Sequence, residues 1–126
     1  MVLALLSVAV IANAQEMRFV QTGSIDQYGN RQGPSNYGAS EIKLVFDGAF
    51  IKQQFGTLTL RWRFHHSQGS NNVYYLVATD YLNGNESLTD DNVIVVASDY
   101  SALNKIDRQC TLIYERRERN YGTLAR

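Results

Sequence analysis

Residues 57–64, TLTLRWRF, alternate strictly between apolar and polar positions. Leu58, Leu60, Trp62 and Phe64 fall on one side of an extended chain and Thr59, Arg61 and Arg63 on the other, because side chains on a strand alternate with period two. One face is apolar and aromatic, the other cationic and wet. Similar runs rich in Val, Ile, Tyr, Phe and Thr recur at 16–22, 41–46, 49–55, 73–79, 92–98 and 109–115, a pattern that predicts six or seven strands. No stretch of ten or more residues carries apolar positions at helical spacing between caps, so helix is scarce.

Turn chemistry separates the runs. Asp47-Gly48 is a hairpin signal, SQGSNN at 67–72 and LNGNESLTDDN at 82–92 read as loops, and Gly, Asn, Ser and Pro dominate the segment after the first run. Short connections between successive strands favour antiparallel neighbours, so the chain reads as an all-β, up-and-down sheet. Twist and the need to hide sheet edges would roll it into a barrel. Within it, YYLVATDY at 74–81 is echoed by VIVVASDY at 93–100.

The N-terminus stands apart. MVLALLSVAVIANA closes an apolar run on Ala12-Asn13-Ala14, the small-x-small pattern accepted by signal peptidase, although no Lys or Arg precedes it. About thirteen residues fall short of the roughly 20 needed to span a membrane. Residues 1–14 are expected to be a secretory signal, with a buried first strand as the alternative, and 15–126 a single secreted, extracellular domain. Lys plus Arg and Asp plus Glu balance at 12 each, so no net field draws the chain to nucleic acid or a membrane surface. The single cysteine, Cys110, can make no internal disulfide; in an oxidising compartment it is either a buried thiol or the link in a disulfide-bonded dimer.

Residues with catalytic or ligating chemistry are sparse. His65 and His66 are adjacent, so on a strand they should point to opposite faces, and no Cys, Asp or Glu stands beside them at the spacing of a zinc site. No nucleophile elbow and no phosphate-cradling glycine loop occurs. The chain therefore does not read as an enzyme, and no metal or cofactor is implied. Asn85-Glu86-Ser87 fits the N-glycosylation acceptor pattern in a loop, making Asn85 a candidate site of a glycoprotein.

VYYLVATDY resembles the second conserved motif of the lipocalins, closest to the apolipoprotein D-like group, in which an apolar strand closes on Thr79, Asp80 and Tyr81. Other pieces follow in family order. MRFVQTGSIDQYGNRQGPSNYGA resembles the third and fourth strands, TLTLRWRF the fifth, and LIYER the third motif, which matches Tyr114 and Arg116. The Gly-x-Trp strand that opens a lipocalin is missing, the connection between residues 39 and 57 is longer than the family's, and no partner exists for Cys110. The resemblance thus implies an antiparallel lipocalin-type barrel, divergent and lacking its first two strands, hence incomplete. The first of the two repeated segments is preferred as the motif, because choosing the second leaves too little chain for a final strand.

Lipocalins carry small hydrophobic molecules inside an eight-stranded barrel, and the resemblance implies the same here: transport or lipid binding, with a fatty acid, retinoid, sterol or bilin as ligand. The family pattern turns Asp80 inward and with it Tyr74, Leu76 and Ala78. Leu60, Trp62 and Phe64 join from the preceding strand, Leu112 and Tyr114 from the last. The alternative is a secreted sheet protein without a cavity, associating with another protein through unpaired edges or through Cys110.

Overall fold

The computed structural model describes residues 14–79 and 82–117. The expected signal segment, apart from Ala14, lies outside them, as do Asp80 and Tyr81. Nine strands follow in chain order: β1 (Gln15–Asp26), β2 (Arg31–Gln32), β3 (Glu41–Asp47), β4 (Phe50–Phe55), β5 (Leu58–Gln68), β6 (Asn71–Thr79), β7 (Glu86–Ala97), β8 (Ala102–Asp107) and β9 (Cys110–Arg116). Every neighbouring pair is antiparallel, in the sheet order β2-β1-β3-β4-β5-β6-β7-β8-β9.

The sheet closes on β1. Its first half pairs with β3, from Gln15 opposite Phe46 to Val20 opposite Glu41, and its second half with β9, from Phe19 opposite Arg116 to Asp26 opposite Cys110. A register shift between Gln21 and Gly23 bends β1 where it passes from one partner to the other, as bulges do at barrel corners. Eight strands thus form a complete up-and-down barrel, with the two-residue β2 added beside Ser24 and Ile25. This corrects the expected incomplete barrel of six or seven strands. No strand is missing from the ring, because β1 supplies pairing to both ends of the meander.

Two of the corrections come from polar sequence that nonetheless forms strand. The loop expected at 82–92 is largely β7, whose residues 86–89 pair with 79–76 of β6 beyond a register shift. Backbone pairing, which needs no apolar face, carries the strand there. β8 is the second: only Leu103 reads as core, while Lys105 and Asp107 occupy the following alternate positions. The two repeated segments lie side by side, Tyr74 opposite Ile94 and Val73 opposite Val95. After the second copy the chain turns through Tyr100, the one non-glycine positive φ (61°) among the described residues, with the Asp99 carboxylate accepting the Ser101 N–H. The β3–β4 hairpin turns on Gly48, φ 62°, and Ala49.

The barrel middle is packed solid. Phe19, Leu44, Ile51, Trp62, Ile94, Val96, Leu103 and Tyr114 are essentially inaccessible to solvent, and Met17, Ile42, Tyr74 and Leu112 complete the cluster. The outer face of β5 is polar as expected. Arg61 and Arg63 lie against the Phe50 ring, and Arg61 pairs with Glu86. No helix among the described residues is long and apolar enough to cross a membrane.

Candidate functional site

At one end of the barrel the core gives way to a cavity of about 380 Å³, within the size range of small-molecule sites. Residues 33–40 cross this end as a strap, and three inward-facing side chains fasten it. Gln21, buried on β1, accepts the Ser35 N–H through Oε1 and donates through Nε2 to the carbonyls of Ser35 (3.2 Å) and Ala39 (3.1 Å). The Tyr114 hydroxyl donates to Ala39 O at 2.8 Å, and Ser24 Oγ to Gly33 O at 2.8 Å. The strap can lie this close because position 38 is glycine: a methyl group there would collide with Leu112 Cδ1.

The walls are of two kinds. Ile42, Phe55, Ile106 and Leu112 supply apolar surface, and Gln53, Asn92, Lys105 and Asp107 polar groups. Lys105 comes inward from β8, two residues after the buried Leu103, as period-two alternation requires. Its Nζ lies 5.3 Å from the centre of the Trp62 ring and 6.0 Å from that of Phe55, and donates to Gln53 Oε1 at 3.3 Å. Burial pulls its pKa below the ordinary lysine value, with Asp107 acting in the opposite sense. The Trp62 indole N–H is buried without an acceptor among the described residues. Asp107 faces elsewhere. Its Oδ1 accepts the N–H groups of Gln109 (2.8 Å) and Cys110 (3.0 Å), and its Oδ2 accepts the Tyr37 hydroxyl of the strap at 2.9 Å. That bond raises the Tyr37 pKa.

Of the eight residues expected to line an interior site, Leu112 and Tyr114 border this cavity. Trp62 and Tyr74 belong to the packed middle, and Leu60 and Leu76 lean on it half-buried. Phe64 and Ala78 are exposed, Phe64 standing edge-on to Tyr74 with ring centres 5.8 Å apart. Arg116 is exposed, its backbone opposite Phe19 across the closing seam, and Thr79 is exposed at the end of β6. Asn85 is exposed just before β7.

Comparison with protein-family models, curated proteins and solved structures gives no match. The site therefore has to be read from its own chemistry. Sequence reasoning passed over Gln53, Asn92, Lys105, Asp107 and the strap. Their one signal was Leu103-x-Lys105-x-Asp107, a period-two face begun by an apolar residue and continued by charged ones.

The histidines differ from expectation as well. A register shift between Phe64 and His66 breaks the alternation, so His65 and His66 share the outer surface with their Nδ1 atoms 2.7 Å apart and His65 stacked on Tyr75 at 4.1 Å. No cluster of three metal-ligating side chains occurs among the described residues. Cys110 is half-buried against the core, and burial raises its thiol pKa.

Proposed function

We propose that this chain is a secreted carrier that holds one small, largely hydrophobic ligand in the strapped end of its barrel, in the manner of a lipocalin. The observation that carries the proposal is the cavity of about 380 Å³ in a barrel whose middle is otherwise fully packed. A closed ring of eight strands is the architecture in which such a space can be kept dry and shaped. Apolar walls from Ile42, Phe55 and Leu112 favour a hydrophobic guest, and the few polar groups would orient it. The lipocalin likeness rests on the eight-stranded meander and on the order of the sequence motifs. Ring closure takes up most of the edge that the rival, association through unpaired edges, would use, and association through Cys110 stands as the second reading.

Export fits the same reading, because β1 opens at Gln15, so the whole barrel lies beyond the expected cleavage point. Asn85, exposed beside β7, is open to glycosylation.

The test is thermal unfolding of protein from a secreting host with fatty acids, retinoids, sterols and bilins, alongside fluorescence of Trp62, the only tryptophan. A true ligand raises the midpoint by mass action, about 2.7 kcal/mol of stabilisation at 100 times Kd. It should also alter the Trp62 emission, and intact mass should begin at Gln15 before any glycan. No shift with any class would remove the carrier proposal, and retention of Met1 would remove secretion.

A further inference from the structure

We infer that the ligand of this cavity carries a single negative charge, a carboxylate, and that Lys105 holds it. This rests on the proposed carrier function and names the chemistry of its guest. The starting observation is a cation turned into a cavity of mixed apolar and polar walls, with no carboxylate in direct contact with it among the described residues. Lys105 Nζ donates to a neutral amide, Gln53 Oε1 at 3.3 Å, and sits over the Trp62 and Phe55 rings. Among the described residues it pairs within 4.0 Å with no carboxylate.

Asp107, on the same wall, acts on Lys105 only at a distance: its oxygens accept from Tyr37, Gln109 and Cys110, and no contact within 4.0 Å joins it to the ammonium. It ties Tyr37 of the strap to the turn before β9, and what the cavity offers an anion is the pair of ammonium protons without an acceptor among the described residues. An ammonium has three protons to donate, and one is engaged here. Removing such a charge from water is costly unless it is paired. Aromatic faces recover part of that cost, but a methionine at 105 would fill the same space without incurring it.

An anion entering the cavity gains a charge-assisted hydrogen bond in surroundings where Coulomb attraction exceeds that in water. Charge matching sets the valence. One ammonium can meet one carboxylate, whereas a dianionic phosphate would bring a second negative charge beside Asp107 with no second cation in the lining to meet it. Ile42, Leu112 and Phe55 then receive the tail. The chemistry selected is that of an amphipathic monocarboxylate; a cationic amphiphile of equal length is repelled.

The full chain would be titrated calorimetrically, and by Trp62 fluorescence, with decanoate, decanol and decyltrimethylammonium at neutral pH. Decanoate should bind at least about tenfold more tightly than decanol, roughly 1.4 kcal/mol, and decyltrimethylammonium not measurably. Lys105→Met, checked for folding by circular dichroism, should bring decanoate and decanol to similar affinities, and Lys105→Arg should keep a preference for decanoate. Should the Met variant not fold, the wild-type ratio alone decides. Decanol binding as well as decanoate, or Lys105→Met retaining the preference, overturns the carboxylate and leaves the cavity as a site. Binding of none of the three overturns both.

Discussion

Trp62 and Phe64 are two positions apart on one strand, share one face in the sequence and have different fates in the fold. Trp62 is wholly buried at the barrel's middle; Phe64 keeps 39% of its surface exposed. Alternation along β5 correctly separates Leu60, Trp62 and Phe64 from Arg61 and Arg63, but period two says which face a residue takes and nothing of its height along the barrel axis. That height depends on the tilt and stagger of all eight strands, information spread over the whole chain. Of those expected inside, Ala78 falls next to the end of β6, and Phe64 lies at the register shift of β5 beyond the packed middle. Trp62→Ala should cost about 3–5 kcal/mol, since the ring is replaced by a void among rigid neighbours. Phe64→Ala should cost about 1 kcal/mol, having less buried surface to lose. Urea unfolding of both variants measures the difference; equal losses would place both rings in the core.

At the scale of elements, the segments legible in the sequence are those with one apolar and one polar face. The runs at 16–22, 41–46, 49–55, 57–64, 73–79, 92–98 and 109–115 all form strands. Hidden from that pattern is β8, because its inner face passes from Leu103 to Lys105 and Asp107 and so resembles a solvated loop. The polar half of β7 was hidden too, since pairing with β6 is what makes it a strand. β8 matters to the candidate site, since it supplies Lys105 and Asp107 to the cavity wall. The strap could not be anticipated either, because it is fastened by three side chains, Gln21, Ser24 and Tyr114, that only the closed barrel brings beneath it. Gln21 satisfies Ser35 and Ala39 at once. Gln21→Leu would remove all three bonds and leave the half-buried Ser35 without its side-chain partner, while Ala39 O keeps the Tyr114 hydroxyl, at about 1 kcal/mol for a lost hydrogen bond. Hydrogen exchange at Ser35 should then quicken markedly, while amides of β4 and β5 keep their protection. Uniform loss of protection across the barrel would mean that Gln21 supports the core rather than the strap.

For the whole molecule, closure converts a sheet with polar stretches into a ring whose stability depends on pH through groups carried inside it. Burial lowers the Lys105 pKa from its ordinary 10.5. The unfolded chain therefore keeps its lysine proton to higher pH than the folded one, and stability rises as pH climbs from the lowered value toward 10.5. Tyr74 and Tyr114 act in the opposite direction, since burial raises both above the usual 10.0. Their neutral hydroxyls contribute stability that is fully present below 10.0 and is lost as pH passes through the raised values. Asp26 closes the profile at the acid end. Its carboxylate accepts the N–H groups of Tyr28 and Asn30, chiefly the latter's backbone bond lowers its pKa, and the stability so gained is lost as pH falls below 3.8 through that lowered value. Wild-type stability should therefore carry a rising contribution from Lys105 as pH climbs from its lowered value toward 10.5, opposed above 9.0 by the raised Cys110 thiol and then by the tyrosines. Lys105→Met should abolish the rise and keep the alkaline fall. Urea midpoints of the two proteins across this range provide the measurement, and a rise of the same slope in the variant would show that another group, not Lys105, releases the proton on folding.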